Sequence, residues 1–167
     1  MVNAIFSADR NYRFWLRRRV TPMQVPKINE SVCLFVLLNP STADEFSDDP
    51  TIRRCIFFAK KFGHDVLDVV NLFAWRSTDP QKLREVDDPV GVGNDSTIYQ
   101  AIRGADRVVV AWGNSGALHG RSDLVIDLIT ESKIPFHFGL TKFGEPRHPL
   151  YLANACELIM WRDRPDN

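Results

Sequence analysis

Cysteine is scarce in this sequence, and the three cysteines present are poorly placed to act together. Cys33, Cys55 and Cys156 form an odd-numbered and widely spaced set, which indicates neither a disulfide framework nor a zinc cluster. The histidines show no ligand spacing either. We therefore expect no metal site and no cofactor, and we interpret the cysteines as small buried apolar residues.

The sequence also lacks an excess of either charge. Its 167 residues include 21 Lys and Arg and 21 Asp and Glu, so the net charge is about zero. This argues against a protein that mainly coats nucleic acid, because such binding depends on phosphate neutralisation, although a local basic groove stays open. No apolar run is long enough to span a membrane, and residues 1–20 lack the apolar segment of a signal peptide. We expect a cytoplasmic protein with no membrane partner.

Motifs that cradle phosphates or present a nucleophilic serine are missing too. The sequence contains no GxGxxG, no GxxxxGK[ST] and no GxSxG pattern. The stretch GVGND at residues 91–95 has two glycines but follows a proline-containing loop rather than a strand. A binding site in this chain must therefore be built from other groups.

Apolar runs alternate with amphipathic segments from residue 32 onward, and this alternation predicts an α/β fold. Because the runs are almost continuously apolar, we expect a three-layer α/β/α sandwich with a mostly parallel central sheet of about four strands. The length indicates a single domain over residues 1–167, with residues 1–30 as an N-terminal hairpin or edge extension that turns at residues 8–11. The expected strands cover 32–38, 66–73, 107–113 and 135–140, and the expected helices cover 49–63, 94–105, 121–132 and 148–161.

Polar and aromatic side chains cluster just after the predicted strands. In parallel sheets, ligands bind beyond the carboxyl ends of the strands, so these side chains are candidates for one site. An asparagine amide complements the amide-like edge of a nucleobase, and aromatic rings can stack on it. The candidates are Asn39, Ser41, Thr42, Asp44 and Phe46 after the first strand, Asn71 and Phe73 at the second, Trp112 at the third, and Arg147 and His148 after the fourth.

Each candidate also has a purely structural interpretation. Asn39 could shape an Asn-Pro turn, Asn71 could belong to a buried polar network, and Trp112 could be core. Asp49 is interpreted as an N-cap, since Pro50 follows it at the first helical position. The N-terminal arginines, which are Arg13, Arg17, Arg18 and Arg19, could line a phosphate path but are interpreted as solvated.

Six motifs in order resemble a bacterial and phage family catalogued as domain of unknown function sixteen-forty-three. They are LLNPSTAD, DDPTIRRC, VVNLFAWRSTDP, VGVGND, VVVAWG and PRHPLYL. The resemblance covers nearly the whole chain, from about YRFWLRR to HPLYL. It implies a family but no activity.

A more distant resemblance is to the uracil-DNA glycosylase superfamily, carried by Asn39-Pro40, Asn71, Trp112-Gly113 and His148-Pro149. It implies that Asn39 holds a water against the sugar, that Asn71 reads the base edge and that His148 stabilises the departing base. Phe46 or Phe73 would stack on the ring. The most active members of that superfamily carry a carboxylate before the proline, where this chain has Asn39, so catalysis would be slow or would recruit Asp44.

Three classes of function follow from these residues. The chain could be an N-glycosidic hydrolase, a nucleotide-binding or sensor module with the same cleft, or a structural or partner-binding protein whose polar groups are capping networks. The expected partner is a nucleobase, a nucleotide or a nucleic acid, including single-stranded forms. The base, the polymeric state of the substrate and the oligomeric state stay open.

Overall fold

The computed structural model describes residues 3–21 and 29–162. Over these residues the chain forms seven strands, three α-helices and three short 3-10 helices. The strands are β1 Ala4–Phe6, β2 Arg13–Arg19, β3 Val32–Leu37, β4 Val66–Asn71, β5 Arg107–Val110, β6 Phe136–His137 and β7 Ile159–Met160. The helices are α1 Pro50–Lys61, α2 Asn94–Gly104 and α3 Arg121–Thr130, and the 3-10 helices are Pro80–Arg84, Asn114–Gly120 and Pro149–Tyr151. Pro22 and Pro26 predict an irregular connection between the hairpin and the first apolar strand, and both prolines lie outside the described residues.

The seven strands form one sheet in the order β1-β2-β4-β3-β5-β6-β7. The four strands β4, β3, β5 and β6 run parallel, while β1 and β2 at one edge and β7 at the other pair antiparallel. The predicted α/β class is confirmed. The sheet is wider than the expected four strands because the N-terminal hairpin joins it through β2 and β4, and because β7 extends the opposite edge.

Side chains of β3 alternate between two apolar clusters, as the two-residue period of a strand requires. Phe35 and Leu37 pack with helix α1, whereas Leu34 and Val36 pack with helices α2 and α3. Because both faces of β3 are covered, the sequence of this strand is apolar throughout. The sheet therefore carries helices on both of its sides.

The first two helices begin differently. Asp49 caps α1 as predicted, since its Oδ1 accepts a hydrogen bond from the Ile52 amide at 2.8 Å. The residues at the start of α2 predict a cap by Asn94 or Asp95, but this prediction is wrong, because the N-cap is Gly93 with a φ of 87°. The Asn94 side chain is buried instead and donates to the backbone oxygens of Asn71 at 3.0 Å and Leu72 at 3.2 Å.

The predicted closing helix over residues 148–161 does not form. The chain makes one 3-10 turn at Pro149–Tyr151 and then extends to β7, which pairs with β6. Leu158 packs against one apolar cluster and Trp161 belongs to the other. An extended segment at the edge of the sheet can place side chains in both apolar clusters, whereas a helix would direct these two side chains to one face.

None of the helices in residues 3–21 and 29–162 has the length and apolar character needed to cross a membrane.

Candidate functional site

A cleft opens where the strand order of the sheet reverses direction. Strand β3 is followed along the chain by β4 on one side of it and then by β5 on its other side, and such switch points are where open α/β sheets bind ligands. The cleft has a volume of about 470 Å³, which is within the range of small-molecule sites. Its polar lining includes Asn39, Ser41, Thr42, Asp49, Asn114 and His148.

Asn39 presents an oxygen acceptor at this cleft. Its Nδ2 donates to the backbone oxygens of Pro40 at 3.1 Å and Ser77 at 2.9 Å. Both partners are acceptors, so the orientation of the amide is fixed by its surroundings. Oδ1 is then the side-chain atom that can accept a hydrogen bond from a water or a ligand.

His148 presents a donor at the same cleft. Its Nδ1 accepts from the Leu150 amide at 3.4 Å, so the neutral ring carries its proton on Nε2. Burial lowers the pKa of His148 below its usual value, and the nearby Asp49 carboxylate partly opposes this shift. Neutral imidazole with Nε2–H is thus the favoured form at pH 7.

Asp49 is a functional candidate that the sequence interpretation treated only as a helix cap. It is 8% exposed and lines the cleft, where its charge acts on His148. Oδ1 is used as the cap, while Oδ2 makes only a long contact with the Ala43 amide at 3.4 Å. The position of Asp49 in the sequence could have indicated this role, because the N-cap of a helix that follows a parallel strand lies at the carboxyl edge of the sheet, where ligands bind.

Trp112 forms an anchored wall of the cleft. Its Nε1 donates to Glu145 Oε2 at 2.6 Å, and the indole lies directly over Gly116, where an added Cβ would be 2.1 Å from Cδ1. The Gly113 amide donates to the Pro146 oxygen at 2.8 Å, which ties the loop after β5 to the segment carrying His148. Gly113 has a φ of 74°, a conformation that glycine adopts without strain.

The structure brings half of the predicted site residues to this cleft and leaves the others elsewhere. Asn39, Ser41, Thr42, Trp112 and His148 line it. Asp44, Phe46, Asn71, Phe73 and Arg147 are not part of the lining.

Asp44, the expected catalytic carboxylate, is not among the residues that line the cleft. Its Oδ1 accepts from the amides of Phe46 and Ser47, each at 2.8 Å. These backbone hydrogen bonds lower the pKa of Asp44, as in an Asx turn that stabilises the anion. Asp44 therefore shapes the loop before α1.

The phenylalanines expected to stack on a base are placed elsewhere. Phe73 is fully buried in the core, whereas Phe46 is 94% exposed outside the cleft. Tyr151, which is 84% exposed, lines the cleft and is the accessible ring there. Arg147 is exposed, and its Cδ lies 3.6 Å from the position a Cβ would take at Gly139.

Asn71 lies beneath the site in a buried polar network. Its Oδ1 accepts from Arg13 at 3.3 Å, and Arg13 also donates to the Ala43 oxygen at 3.0 Å. Arg13 is only 1% exposed, so its interpretation as solvated is wrong. Burial lowers the pKa of Arg13 to about 10, which leaves the guanidinium charged at pH 7.

The other N-terminal arginines form ion pairs, and Arg19 is solvent-exposed as the sequence predicted. Arg17 makes a bidentate pair with Asp68 at 2.7 and 2.6 Å, and Arg18 contacts Asp48 at 2.6 Å. Arg19 pairs with Glu30. The hairpin is thereby joined to β4 and to the loop before α1.

Two of the three cysteines are buried in the core, as predicted. Burial raises the pKa of Cys33 to about 12 and raises that of Cys55 well above its usual value. Both are therefore unreactive thiols. Across the two described ranges, no three His, Cys, Asp or Glu side chains are grouped to hold a metal ion.

A family model described as "Protein of unknown function (DUF1643)" matches residues 13–150. The chain belongs to this family. No curated protein and no solved structure gives a significant match. The family region extends from β2 to the 3-10 turn after His148, so it contains the cleft residues from Leu38 to Leu150.

Proposed function

We propose that the cleft binds a nucleobase-bearing ligand and hydrolyses its N-glycosidic bond. One observation carries this proposal: an acceptor on Asn39, a carboxylate on Asp49 and a donor on His148 line one cleft of nucleoside size. The three groups are separated along the chain and are brought together by β3, α1 and the segment after β6.

Recognition of a flat ring with a sugar is supported by the remaining lining. Tyr151 supplies an exposed aromatic ring, and stacking on such a ring contributes about 1–3 kcal/mol per base. Hydroxyls of Ser41, Thr42 and Thr51 offer hydrogen bonds of either direction. In this assignment Tyr151 takes the stacking role that the sequence gave to Phe46 or Phe73.

The chemical step uses the three groups in distinct roles. Asn39 Oδ1 accepts from a water, and Asp49 Oδ2 takes the proton of that water as its oxygen bonds to C1′. The C1′–N bond breaks, and its electron pair leaves with the base. His148 Nε2–H then donates to the departing base, where a donor aimed at developing charge accelerates the reaction.

We also propose that the sandwich is of the uracil-DNA glycosylase type. This rests on the parallel strands β4, β3, β5 and β6 with α1 on one face and α2 and α3 on the other. The Asn39-Pro40 and His148-Pro149 pairs would then occupy the corresponding loops.

A non-catalytic binding module is the second candidate. Both oxygens of Asp49 already contact backbone amides, of Ile52 and Ala43, as a purely structural cap would. In that case the cleft holds the same ligand without turning it over.

The test begins with ligand binding. Free bases, nucleosides and nucleotides are titrated while the thermal midpoint is recorded, since a ligand at 100 times its Kd adds about 2.7 kcal/mol of stability. We expect a rise for at least one nucleoside or nucleotide. If no ligand moves the midpoint, the cleft residues are structural.

The second stage measures release of free base by chromatography. Asp49→Asn keeps an oxygen for the Ile52 amide but cannot accept a proton, so we expect binding to survive and turnover to fall by about 10²–10⁴. Asp79→Asn is the matched control, because Asp79 also caps a helix, with Oδ1 2.9 Å from the Gln81 amide, but lies outside the cleft. Binding without turnover in the wild type supports the binding module, and unchanged turnover in Asp49→Asn contradicts the assigned roles.

A further inference from the structure

A second basin adjoins the cleft and shares one wall with it. The basin has a volume of about 400 Å³ and is lined by Arg10, Asn11 and Arg76. Four further lining residues are common to both cavities: Ser41, Thr42, Ser77 and Thr78. We call this second cavity the arginine basin. A ligand bound in the cleft can extend past the shared residues toward the two arginines of the basin.

Arg76 is held in place from several directions. Its amide donates to the Asn11 oxygen at 2.9 Å, and its Nη1 donates to the Arg10 oxygen at 3.1 Å. The guanidinium lies 5.1 Å from the centre of the Phe6 ring. Its position is fixed before any ligand binds, so little ordering is needed on binding.

Arg76 also retains unused hydrogen-bonding capacity. Within the described residues it forms no salt bridge, and Nη1 is the guanidinium nitrogen that makes a hydrogen bond. Its Nε is buried without a partner, so Nη2 is the nitrogen left to meet a ligand. Arg10 pairs with Glu45 through two hydrogen bonds at 2.8 and 2.7 Å, and the charge of Arg76 also acts on Glu45 without a direct contact. The carboxylate of Asp44 near Arg10 is likewise occupied by backbone amides.

We propose that the arginine basin is a phosphate subsite, in which Arg76 and the hydroxyls of Ser41, Thr42 and Thr78 bind a phosphate ester. Guanidinium is well suited to this group because its planar donors match phosphate oxygens. The inference extends the proposed function, since the base of the same ligand would occupy the cleft. It makes the ligand a nucleotide or a nucleic-acid strand rather than a free base or nucleoside.

The first experiment tests the subsite without any nucleoside. Inorganic phosphate is titrated into protein labelled with ¹⁵N while the arginine Nε–H signals are followed by NMR, and Arg76 is assigned by its loss in Arg76→Gln. We expect a saturable shift of the Arg76 signal that equal ionic strength of chloride does not produce. A signal that phosphate leaves unmoved overturns the inference.

The second experiment compares each nucleoside with its 5′-monophosphate by calorimetry. We expect the monophosphate to bind the wild type about tenfold more tightly, because charge-assisted hydrogen bonds are the stronger ones. Arg76→Gln should abolish this ratio with little change in nucleoside affinity, and Arg76→Lys, which keeps the charge, should retain part of it. Arg103→Gln, on the exposed face of α2 and outside both cavities, should behave as wild type.

The outcomes separate this inference from the proposed function. If phosphate shifts Arg76 but no nucleoside or nucleotide binds, the subsite stands and the base-binding proposal fails. If nucleoside and monophosphate bind the wild type equally, the proposed function stands and the subsite is refuted. A dinucleotide that binds through its internal phosphodiester more tightly than the monophosphate supports the subsite and assigns it to a nucleic-acid backbone.

Discussion

Arg13 and Asn71 show how a single buried charge is accommodated in this fold. The guanidinium reaches the Ala43 oxygen and the Asn71 amide, both inside the protein, and the Asp49 charge raises a pKa that burial has lowered. A buried charge is tolerated only when such partners offset its desolvation. Asn71 therefore has a structural partner that occupies its acceptor oxygen.

Replacing Asn71 should affect folding more than binding. Asn71→Leu removes the acceptor for Arg13 and should lower the free energy of unfolding by about 1–3 kcal/mol, because a buried donor then lacks a partner. Urea denaturation measures this change, and ligand affinity should be unaltered. Asn114→Ala, an exposed asparagine that lines the cleft, should leave stability nearly unchanged. Loss of ligand binding at full stability would instead give Asn71 the base-reading role.

A position in a loop at the carboxyl edge of the sheet predicted some of the site residues but not all, since Asp44 and Phe46 share a loop with Asn39 and do not line the cleft. Asn39 and His148 belong to loops at the carboxyl edge and do line the cleft. Asn71 is the last residue of β4 and pairs with Leu37 of β3, so its side chain shares the α1 side. A one-residue change of register would reverse that direction, and nothing in the sequence fixes the register. Asp49 was missed because capping already explained it.

The N-terminal hairpin and the loop before α1 act together as one unit. Arg10 pairs with Glu45, Arg13 donates to the Ala43 oxygen, and Arg18 pairs with Asp48. These contacts join residues 30 to 35 positions apart. Sequence patterns indicate which residues are neighbours within one element. They could not predict that the hairpin holds the loop between β3 and α1 through these contacts.

The start of an element could be predicted where its apolar pattern and a local feature, such as a helix cap, indicated the same position. Strand β3, helix α1 and strand β4 begin within one residue of the expected positions, since their apolar periods are long and Asp49-Pro50 marks a helix start. The segment after Pro149 carries helix-forming residues, but pairing with β6 overrides their propensity.

The 3-10 segment after β5 should be intolerant of a single added methyl group. Gly116→Ala would place a Cβ 2.4 Å from Trp112 Nε1, which displaces the indole from Glu145. We expect a loss of about 2–3 kcal/mol in unfolding free energy from overpacking and the broken hydrogen bond. Gly104→Ala is the control, since nothing lies within 4 Å of its added Cβ. Equal unfolding midpoints for the two variants would contradict the close packing of the Trp112 indole on Gly116.

Over the described part of the molecule, histidines and carboxylates with lowered pKa values should make the folded state less stable in acid, in two stages. Burial is the main cause that lowers the pKa of three histidines, which are His64, His137 and His148. The Arg10 pair lowers the pKa of Glu45 to about 2, and hydrogen bonds lower that of Asp9 and Asp44. In every case the unfolded chain binds protons more readily than the folded chain.

The free energy of unfolding should therefore fall as the pH is lowered, first over the range in which histidines take up protons. Below about pH 6.5 the unfolded histidines take up protons that the folded ones resist, so unfolding becomes more favourable. A second decline begins below about pH 4.5, where unfolded carboxylates are protonated and the folded ones are still ionised. Urea midpoints at pH 7.5, 5.5 and 3.5 measure both stages.

His148→Gln should reduce the first decline and leave the second unchanged. The control His119→Asn replaces an exposed histidine at a φ of 54°, a conformation that asparagine tolerates, and should keep both. A stability maximum near pH 5 would contradict this account.

The strand order has a consequence for how the protein is made on the ribosome. β2 precedes its sheet partner β4 in the chain, and β4 emerges only after β3 and α1, which lie between them, have been translated. A two-stranded hairpin alone is marginally stable in water, so the hairpin of β1 and β2 is stabilised only when β4 pairs with β2. Asn71 at the end of β4 is one of the two acceptors that hold Arg13, so the hydrogen bond that helps to offset this buried charge forms only after β4 has been translated.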